Sequence, residues 1–165
     1  LSQATTVRVG IALGAGNPDG IRKAGWAALA LSLGVMAVTA ILYSSFPQQI
    51  AGLFLDASVA ENAAPLALAA SFLVIAGLFQ LVDGTQVTMA AALRGLSDAN
   101  MPLVIALLGY WAVGFPVAWL CAFQFGMRGV GIWTGLAVGL AVVAVALTIR
   151  WALRDRLGLT ARVVA

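Results

Sequence analysis

Asp83 is the one acidic residue well inside a long apolar stretch of this sequence. A carboxylate in hydrocarbon costs at least about 2.5–3.5 kcal/mol, so such residues face cavities and usually mark the path of an ion or substrate. On a helical wheel Gln80 and Gln86 share the face of Asp83, and Phe79 falls in the same arc. A carboxylate flanked by amides and an aromatic ring suits a cation. The pattern predicts a cation- or proton-binding site at Asp83, lined or supported by these three residues.

Asp83 has a second interpretation, because a buried carboxylate can also hold neighbouring helices together through hydrogen bonds. Glutamine or serine would do this at a lower cost of burial. That difference favours a functional carboxylate over a structural one.

Other residues that could carry chemistry are scarce. The sequence contains no histidine, which excludes the histidine-based zinc motifs, catalytic triads and proton shuttles. Cys121, the one cysteine, lies in an apolar run and cannot form an internal disulfide, so it is interpreted as a small core residue. Because the sequence shows no nucleophile–base pair and no metal cluster, we predict that the protein is not an enzyme and has no cofactor.

The composition places these residues in a membrane. Hydrophobic residues make up 62% of the sequence and charged residues 9%, whereas a soluble domain carries roughly 25% charged residues. So few charges could not cover a water-facing exterior, and lipid is the expected solvent. The net charge of +3 is too small and dispersed to indicate a nucleic-acid partner.

Four apolar segments are long enough to cross about 30 Å of hydrocarbon as helices. They are residues 24–46, 65–93, 102–123 and 130–151. The predicted fold class is therefore all-α, a polytopic bundle of membrane helices. Residues 1–14 are too short to cross and are expected to be the end of a truncated helix, which indicates a fragment. A glycine-rich turn at 14–20 follows them, and residues 152–165 form the tail.

The basic residues predict the orientation of these helices. Eight of the nine fall on one side when the helices are followed across the bilayer in turn, and only Arg128 falls on the other. The eight are Arg8, Arg22, Lys23, Arg94, Arg150, Arg154, Arg156 and Arg162. Cytoplasmic loops carry the excess of Lys and Arg, so the C-terminal tail is predicted to be cytoplasmic and the 47–64 loop to face outwards.

The turn at 93–98 carries two further candidates, Arg94 and Asp98. Capping explains them if Arg94 satisfies the last carbonyls of the helix and Gly95 stops it. Alternatively, Arg94 or Asp98 pairs with a charge on a neighbouring loop. Both residues are therefore candidates for a role in the cytoplasmic loop or in gating.

Glycine and proline predict two packing features. Gly131, Gly135 and Gly139 repeat every four residues, a spacing that lets two helix backbones approach closely. The run 114–116 ends in Pro116, which removes a backbone donor and predicts a kink in the third span.

Two stretches of the sequence resemble the multidrug and toxic compound extrusion (MATE) transporters. The runs QATTVRVG at 3–10 and LGAG at 13–16 look like the end of that family's eighth helix. The runs DGTQ at 83–86 and ALRG at 92–95 resemble its tenth helix and the following loop. The second match is the more specific, because it joins an intramembrane aspartate to an Arg-Gly turn at fixed spacing. The resemblance covers nearly the whole chain and makes the four spans the ninth to twelfth helices of a twelve-helix protein.

This resemblance implies an antiporter of two six-helix lobes that exports drugs or organic cations in exchange for Na+ or H+. The chain would be part of the C-terminal lobe and would need the N-terminal lobe to transport. Asp83 would correspond to an acidic residue implicated in cation binding, which makes it a candidate Na+ ligand. The implied partners are small cationic or amphipathic substrates and the lipid bilayer of the plasma membrane.

Two alternatives stay open. A lipid-linked oligosaccharide flippase would share the lobe architecture, but it should have an arginine-lined cavity, and no Arg or Lys lies mid-span in this sequence. A complete four-helix membrane assembly subunit would need no carboxylate within the membrane.

Overall fold

The computed structural model describes residues 1–56 and 59–161, which form helices and turns without a strand. The predicted all-α fold is confirmed. The helices of this part of the chain are α1 (Ser2–Gly14), α2 (Pro18–Ser45), α3 (Pro47–Gly52), α4 (Ala63–Gly95), α5 (Asn100–Gln124) and α6 (Arg128–Ala152). A short 3-10 turn, Ala60–Asn62, precedes α4.

Four helices in the described ranges, α2, α4, α5 and α6, are long and apolar enough to cross a membrane. The predicted number of spans is confirmed, although each helix is longer than its apolar run. α2, for example, begins at Pro18, so the helix includes the charged residues Asp19, Arg22 and Lys23. Such polar ends can extend into the headgroup region, where backbone helix and charged side chains are both tolerated. Arg162 and the rest of the tail after Ala161 lie outside the described residues.

The chain forms two compact units. The first comprises Leu1–Ser32 and Val82–Ala165, and the second comprises Leu33–Leu81. Helices α2 and α4 each contribute one part to the first unit and one part to the second. The boundary within α4 falls directly before Val82, so Asp83 belongs to the first unit.

The core of the first unit is built from large apolar side chains on α1, α2, α4 and α6 and on the turn after α4. The largest of the fully buried ones are Val9, Ile21, Met89, Leu93, Leu96, Leu140, Val143, Leu147 and Trp151. Apolar side chains on the other faces of the same helices stay exposed, as Ile11, Leu31 and Val145 do. A helix that is apolar all round while burying only one stripe is suited to lipid on its remaining faces.

The first unit also contains the predicted glycine packing, which the structure confirms. Gly131, Gly135 and Gly139 of α6 are all buried. A Cβ added to Gly135 would overlap the backbone of Ala118 on α5, and one added to Gly139 would lie 2.9 Å from the Cα of Gly114. Each added carbon would lie closer to the atoms of α5 than carbon atoms pack. Helices α5 and α6 therefore approach each other through their backbones.

Helix α5 changes its hydrogen-bonding pattern along its length. It is α-helical over Asn100–Leu108 and Phe115–Trp119, and π-helical over Gly109–Gly114 and Leu120–Gln124. The sequence predicts a kink at 114–116, and the structure places a widened turn on each side of Pro116. A π turn shifts the bonding by one residue, which accommodates the N–H that proline lacks.

The second unit packs mainly through small residues. Its buried apolar side chains within the described ranges are Ala40, Ala51 and Ala70. Gly77 faces α2 so closely that a Cβ there would lie 3.3 Å from the Cα of Ala40. Within this unit a polar contact also joins the two helices, because Gln80 Nε2 donates to the carbonyl oxygen of Met36 at 3.3 Å.

The turn between α1 and α2 forms as the sequence predicts. Gly16 has a φ of 60°, and its N–H donates to the carbonyl oxygen of Leu13 at 3.0 Å. Asn17 then caps α2, since its Oδ1 accepts the N–H of Gly20 at 2.8 Å. The two helices are therefore joined by a tight turn.

Candidate functional site

Asp83 is partly buried on α4, in the first unit. The next residue, Gly84, is buried, and its carbonyl oxygen accepts a hydrogen bond from Ser32 Oγ of α2 at 3.4 Å. The Ser32 hydroxyl is therefore a second polar group within a membrane-spanning region, and it binds the backbone of the residue that follows Asp83. A hydroxyl within a membrane span is stabilised by such a partner, because hydrocarbon offers no hydrogen bonds.

Gln86 lies one helical turn after Asp83 and binds a neighbouring helix. The hydroxyl of Tyr110, in a π-helical part of α5, donates to Gln86 Oε1 at 2.8 Å. The sequence reasoning missed Tyr110. A signal was present, because a buried phenol hydroxyl usually requires a partner and Tyr110 is a polar group inside an apolar span.

Asp83 and Gln86 are three residues apart on α4, so the carboxylate lies on the same face of the helix as the amide that binds the Tyr110 hydroxyl. A carboxylate, an amide oxygen and a phenol hydroxyl therefore occur together on α4 and α5. Oxygen ligands of this kind suit hard cations. Within residues 1–56 and 59–161 there is no group of three or more His, Cys, Asp or Glu side chains that could hold a metal ion. One negative charge among neutral oxygens fits a monovalent cation or a proton better than a multivalent metal.

The other two predicted site residues lie in the second unit. Gln80 uses its side-chain amide to bind the Met36 carbonyl oxygen, and Phe79 is partly buried. They share α4 with Asp83, but the division of the chain falls between Gln80 and Asp83. Their role in supporting Asp83 therefore stays a prediction.

An apolar cavity of about 240 Å³ lies beside Tyr110 in the first unit. Its lining residues, from α5 and α6, are Tyr110, Trp111, Gly114, Phe115, Ala118, Ile132 and Leu136. Three of these are aromatic, and the rings of Trp111 and Phe115 are 5.9 Å apart. Tyr110 thus connects the polar group at Asp83 and Gln86 with an aromatic, apolar surface.

Asp98 forms an ion pair, but its partner lies on a helix and not, as the second interpretation of the 93–98 turn proposed, on a neighbouring loop. Its Oδ2 accepts a hydrogen bond from Nε of Arg150 on α6 at 2.6 Å. Asp98 is 8% exposed and Arg150 17% exposed, so the pair is largely withdrawn from solvent. Arg94 is exposed and forms no ion pair or side-chain hydrogen bond in the part of the chain that the structure describes.

Helix α4 ends at Gly95, as the sequence predicts, but Gly95 is not the left-handed residue of the cap. The left-handed residue that ends α4 is Ser97, with a φ of 61°. The N–H groups of Asp98 and Ser97 donate to the carbonyl oxygens of Leu93 and Arg94, which is the Schellman pattern. Gly95 is required for a different reason, close packing on α1. A Cβ there would lie 2.7 Å from Cβ of Val9 and 2.8 Å from the carbonyl oxygen of Thr6.

The same end of the first unit holds a tryptophan–arginine pair that the sequence reasoning also missed. Trp151 is fully buried, and its ring occupies the space beside Gly25 of α2 where a Cβ would otherwise lie. Arg154 is 5% exposed and stacks on this ring, with its guanidinium carbon 4.9 Å from the ring centroid. A second contact joins α1 to α4, because Thr6 Oγ1 donates to the Ala91 carbonyl oxygen at 2.9 Å.

Four apolar spans, one of which carries a partly buried carboxylate, define a multi-pass α-helical membrane protein. Comparison with protein-family models matches residues 1–120 to the MatE family. The chain belongs to this family, and the family prediction is confirmed.

Curated relatives support the same assignment. The chain is 50% identical over 157 residues to a probable multidrug resistance protein NorM of Mesorhizobium japonicum, covering 95% of this chain and 34% of that protein. It is 52% identical over 149 residues to a probable multidrug resistance protein NorM of Brucella suis, covering 90% of this chain and 32% of the relative. The chain therefore spans about a third of the length of these curated relatives.

Two solved structures share the fold. The crystal structure of the eukaryotic MATE transporter AtDTX14 matches with a TM-score of 0.79 at 26% identity, covering 96% of this chain and 35% of that one. An inward-facing multidrug resistance MATE family transporter matches with a TM-score of 0.79 at 19% identity, covering 99% of this chain and 36% of that one. At that identity the second likeness concerns the fold alone.

Proposed function

We propose that this chain is part of the C-terminal lobe of an efflux antiporter that exports drugs or organic cations in exchange for Na+ or H+. Asp83 binds the coupling cation or proton. The observation that carries the proposal is a lone, partly buried carboxylate in a membrane span, next to the hydrogen-bonded pair of Gln86 and Tyr110. The names of the relatives as multidrug resistance proteins support the substrate class.

The chemistry of the proposal rests on one negative charge. A carboxylate in hydrocarbon is stable only when it is neutralised, paired or hydrated. A proton or Na+ can neutralise Asp83, and so can the positive end of an organic cation. Because one carboxylate accepts one of these at a time, binding of the ion and binding of the substrate oppose each other. Such mutual exclusion is a negative coupling between the two ligands, which an antiporter requires.

The oxygens around Asp83 would complete its ion site. Gln86 already accepts the Tyr110 hydroxyl, which holds its amide oxygen toward α5. Tyr110 also borders the aromatic cavity of α5 and α6, which suits the apolar body of an amphipathic substrate. Phe79 and Gln80 are proposed to add aromatic and amide contacts on the same helix.

The proposal extends to location and partners. The protein lies in the plasma membrane with its C-terminus in the cytoplasm, as the positive-inside rule predicts. It needs the remaining helices of a full-length transporter, because alternating access takes place between two lobes around a site near midplane. It carries out no covalent chemistry and uses no cofactor beyond the coupling ion.

The test is ion-coupled efflux by a full-length transporter that carries Asp83→Asn. This substitution removes the charge and keeps the volume. We expect the rate of export of a cationic dye from cells or inverted vesicles to fall at least about tenfold. Its dependence on the Na+ or H+ gradient should disappear. Asp19→Asn is the matched control, because Asp19 is exposed and pairs with the nearby Arg22.

Unchanged export with unchanged ion dependence, at normal expression, would remove Asp83 from the mechanism. If export falls while the protein also loses thermal stability, Asp83 is a structural residue that holds the helices. Loss of ion dependence at normal stability separates the functional from the structural interpretation.

A further inference from the structure

A long groove runs between α1 and the first half of α2, with a volume of about 590 Å³. Both helices belong to the first unit in this region, and the tight turn at Gly16 joins them. The groove follows the two helices along their length, since Ala15 and Asn17 line it near the turn and Leu1 and Leu31 line it far from the turn. Its volume is within the range of about 300–1,000 Å³ that is typical of small-molecule sites.

Two basic residues line this groove at the same level. Arg8 on α1 and Lys23 on α2 each lie about 10 Å along their helix from the turn, at a rise of about 1.5 Å per residue. Both are exposed, and neither forms an ion pair or side-chain hydrogen bond within residues 1–56 and 59–161. The groove therefore presents two cations that are free to bind one anion.

The positive charge of the groove is unbalanced. No acidic side chain is among its described lining residues. The nearest acid along the chain, Asp19, is exposed and pairs with Arg22 at 3.1 Å. An anion that enters between Arg8 and Lys23 thus meets no competing carboxylate on the described walls.

On both sides of the two charges the groove is largely apolar, although Asn17 lines it near the turn. Alanine is its commonest wall residue, and Leu1 and Leu31 border its far end. Small side chains leave room between the two helices, and the exposed apolar surface around them suits hydrocarbon. A ligand that fits must therefore have an anionic group at the level of the charges and an apolar chain that continues along the groove toward the bilayer interior.

We propose that this groove binds an anionic phospholipid, with its phosphate between Arg8 and Lys23 and an acyl chain along the alanine-lined part. Basic pockets between membrane helices at the cytoplasmic side are known to suit anionic lipid headgroups. Charge complementarity and the order of charged and apolar walls along the helices favour this occupant. A further protein helix packed in the groove would leave both cations without a partner unless it brought an acid.

The test measures lipid binding by the full-length transporter, purified in detergent and freed of its own lipids. Dioleoyl phosphatidylglycerol is titrated in, with dioleoyl phosphatidylcholine as the uncharged-headgroup control, and bound lipid is counted by native mass spectrometry. We expect one tightly bound phosphatidylglycerol, and binding about tenfold or more weaker in Arg8→Gln/Lys23→Gln. Arg94→Gln/Arg156→Gln is the matched control, because it removes two exposed charges outside the groove.

A second variant tests the shape of the groove and keeps its charge. Ala27→Phe fills the apolar part and should also weaken phosphatidylglycerol binding, with Arg8 and Lys23 intact. Equal losses in the two charge variants would overturn the proposal, since they would show a general effect of net charge. Equal binding of the two lipids by the unmodified protein, with no effect of Ala27→Phe, would show that another part of the protein fills the groove. If the double variant fails to fold, Arg8→Gln and Lys23→Gln tested singly decide the question.

Discussion

The two halves of α6 pack in opposite ways. In the first half, Gly131, Gly135 and Gly139 are the buried residues, and the backbone of α5 comes up against them. In the second half most of the buried residues are large, and Trp151 fills a space beside a glycine of another helix. The first half thus leaves room for the backbone of a neighbouring helix, whereas the second half places a large side chain beside a glycine of another helix.

The difference shows two ways in which membrane helices can pack against each other. Both are needed because lipid is as apolar as the helix surfaces, so the hydrophobic effect does not drive these helices together. Close backbone approach increases dispersion contact without a large side chain. A large side chain inserted beside a glycine does the same with one residue, as Val143 does over Gly109 and Trp151 does over Gly25. Only the second half adds charge to its packing, because Arg150 lies next to Trp151 and binds Asp98.

The largest expected effect is in the first half. Gly135→Leu places a side chain where the backbone of Ala118 lies, and a backbone cannot move aside as a side chain can. We expect no folded, monodisperse protein in detergent. Gly129→Leu on the same helix is the control, because no atom lies within 4 Å of a Cβ there. Normal yield and thermal stability of Gly135→Leu would show that α5 and α6 do not approach this closely.

An intermediate effect is expected at the ion pair of the second half. Asp98→Ala leaves Arg150 largely buried without its partner, which should lower the free energy of unfolding by about 2–4 kcal/mol. Asp19→Ala, which removes an acid that is 74% exposed and pairs with the exposed Arg22, should change it by less than about 0.5 kcal/mol. Thermal unfolding of the purified transporter measures both. The double variant Asp98→Leu/Arg150→Met should recover much of the loss, and an additive loss would argue against the pair.

The smallest effect is expected where one large side chain is trimmed. Trp151→Phe leaves a void beside Gly25 and should cost about 1–2 kcal/mol. Gly25→Ala should cost more in the unmodified protein than in the Trp151→Phe variant, because the smaller ring gives the added methyl group room. A double-mutant cycle on thermal stability measures this coupling. A coupling of zero would mean that the two residues are not in contact.

Much of this fold follows from the sequence, because lipid imposes simple requirements. The number of spans and the glycine contact of α6 follow from length, apolarity and spacing. The turn at Gly16 follows from residue types that favour it. What remained hidden are single residues whose partners are distant in the chain. Gly25 belongs to no repeat of small residues, and nothing in the neighbouring sequence shows that the Trp151 ring packs beside it.

The candidate site, too, could be predicted only in part, because some of its residues have partners that are distant in the chain. A charge in an apolar segment is visible locally, so Asp83 could be found from sequence alone. Tyr110 contacts Gln86 across two helices, and neither position predicts the other without the packing of α4 on α5. The stop after α4 was assigned to Gly95 because glycine usually takes the left-handed position, whereas Ser97 does so in the structure.

The contact between Gly25 and Trp151 also bears on the order in which the protein is made. A chain is synthesised from its N-terminus, so α2 enters the membrane long before α6 exists. Until then the space beside Gly25 lacks the indole that fills it, and Asp98 lacks Arg150. These two contacts of the first unit can form only after α6 has been made, so residues 150 and 151 join helices that entered the membrane earlier.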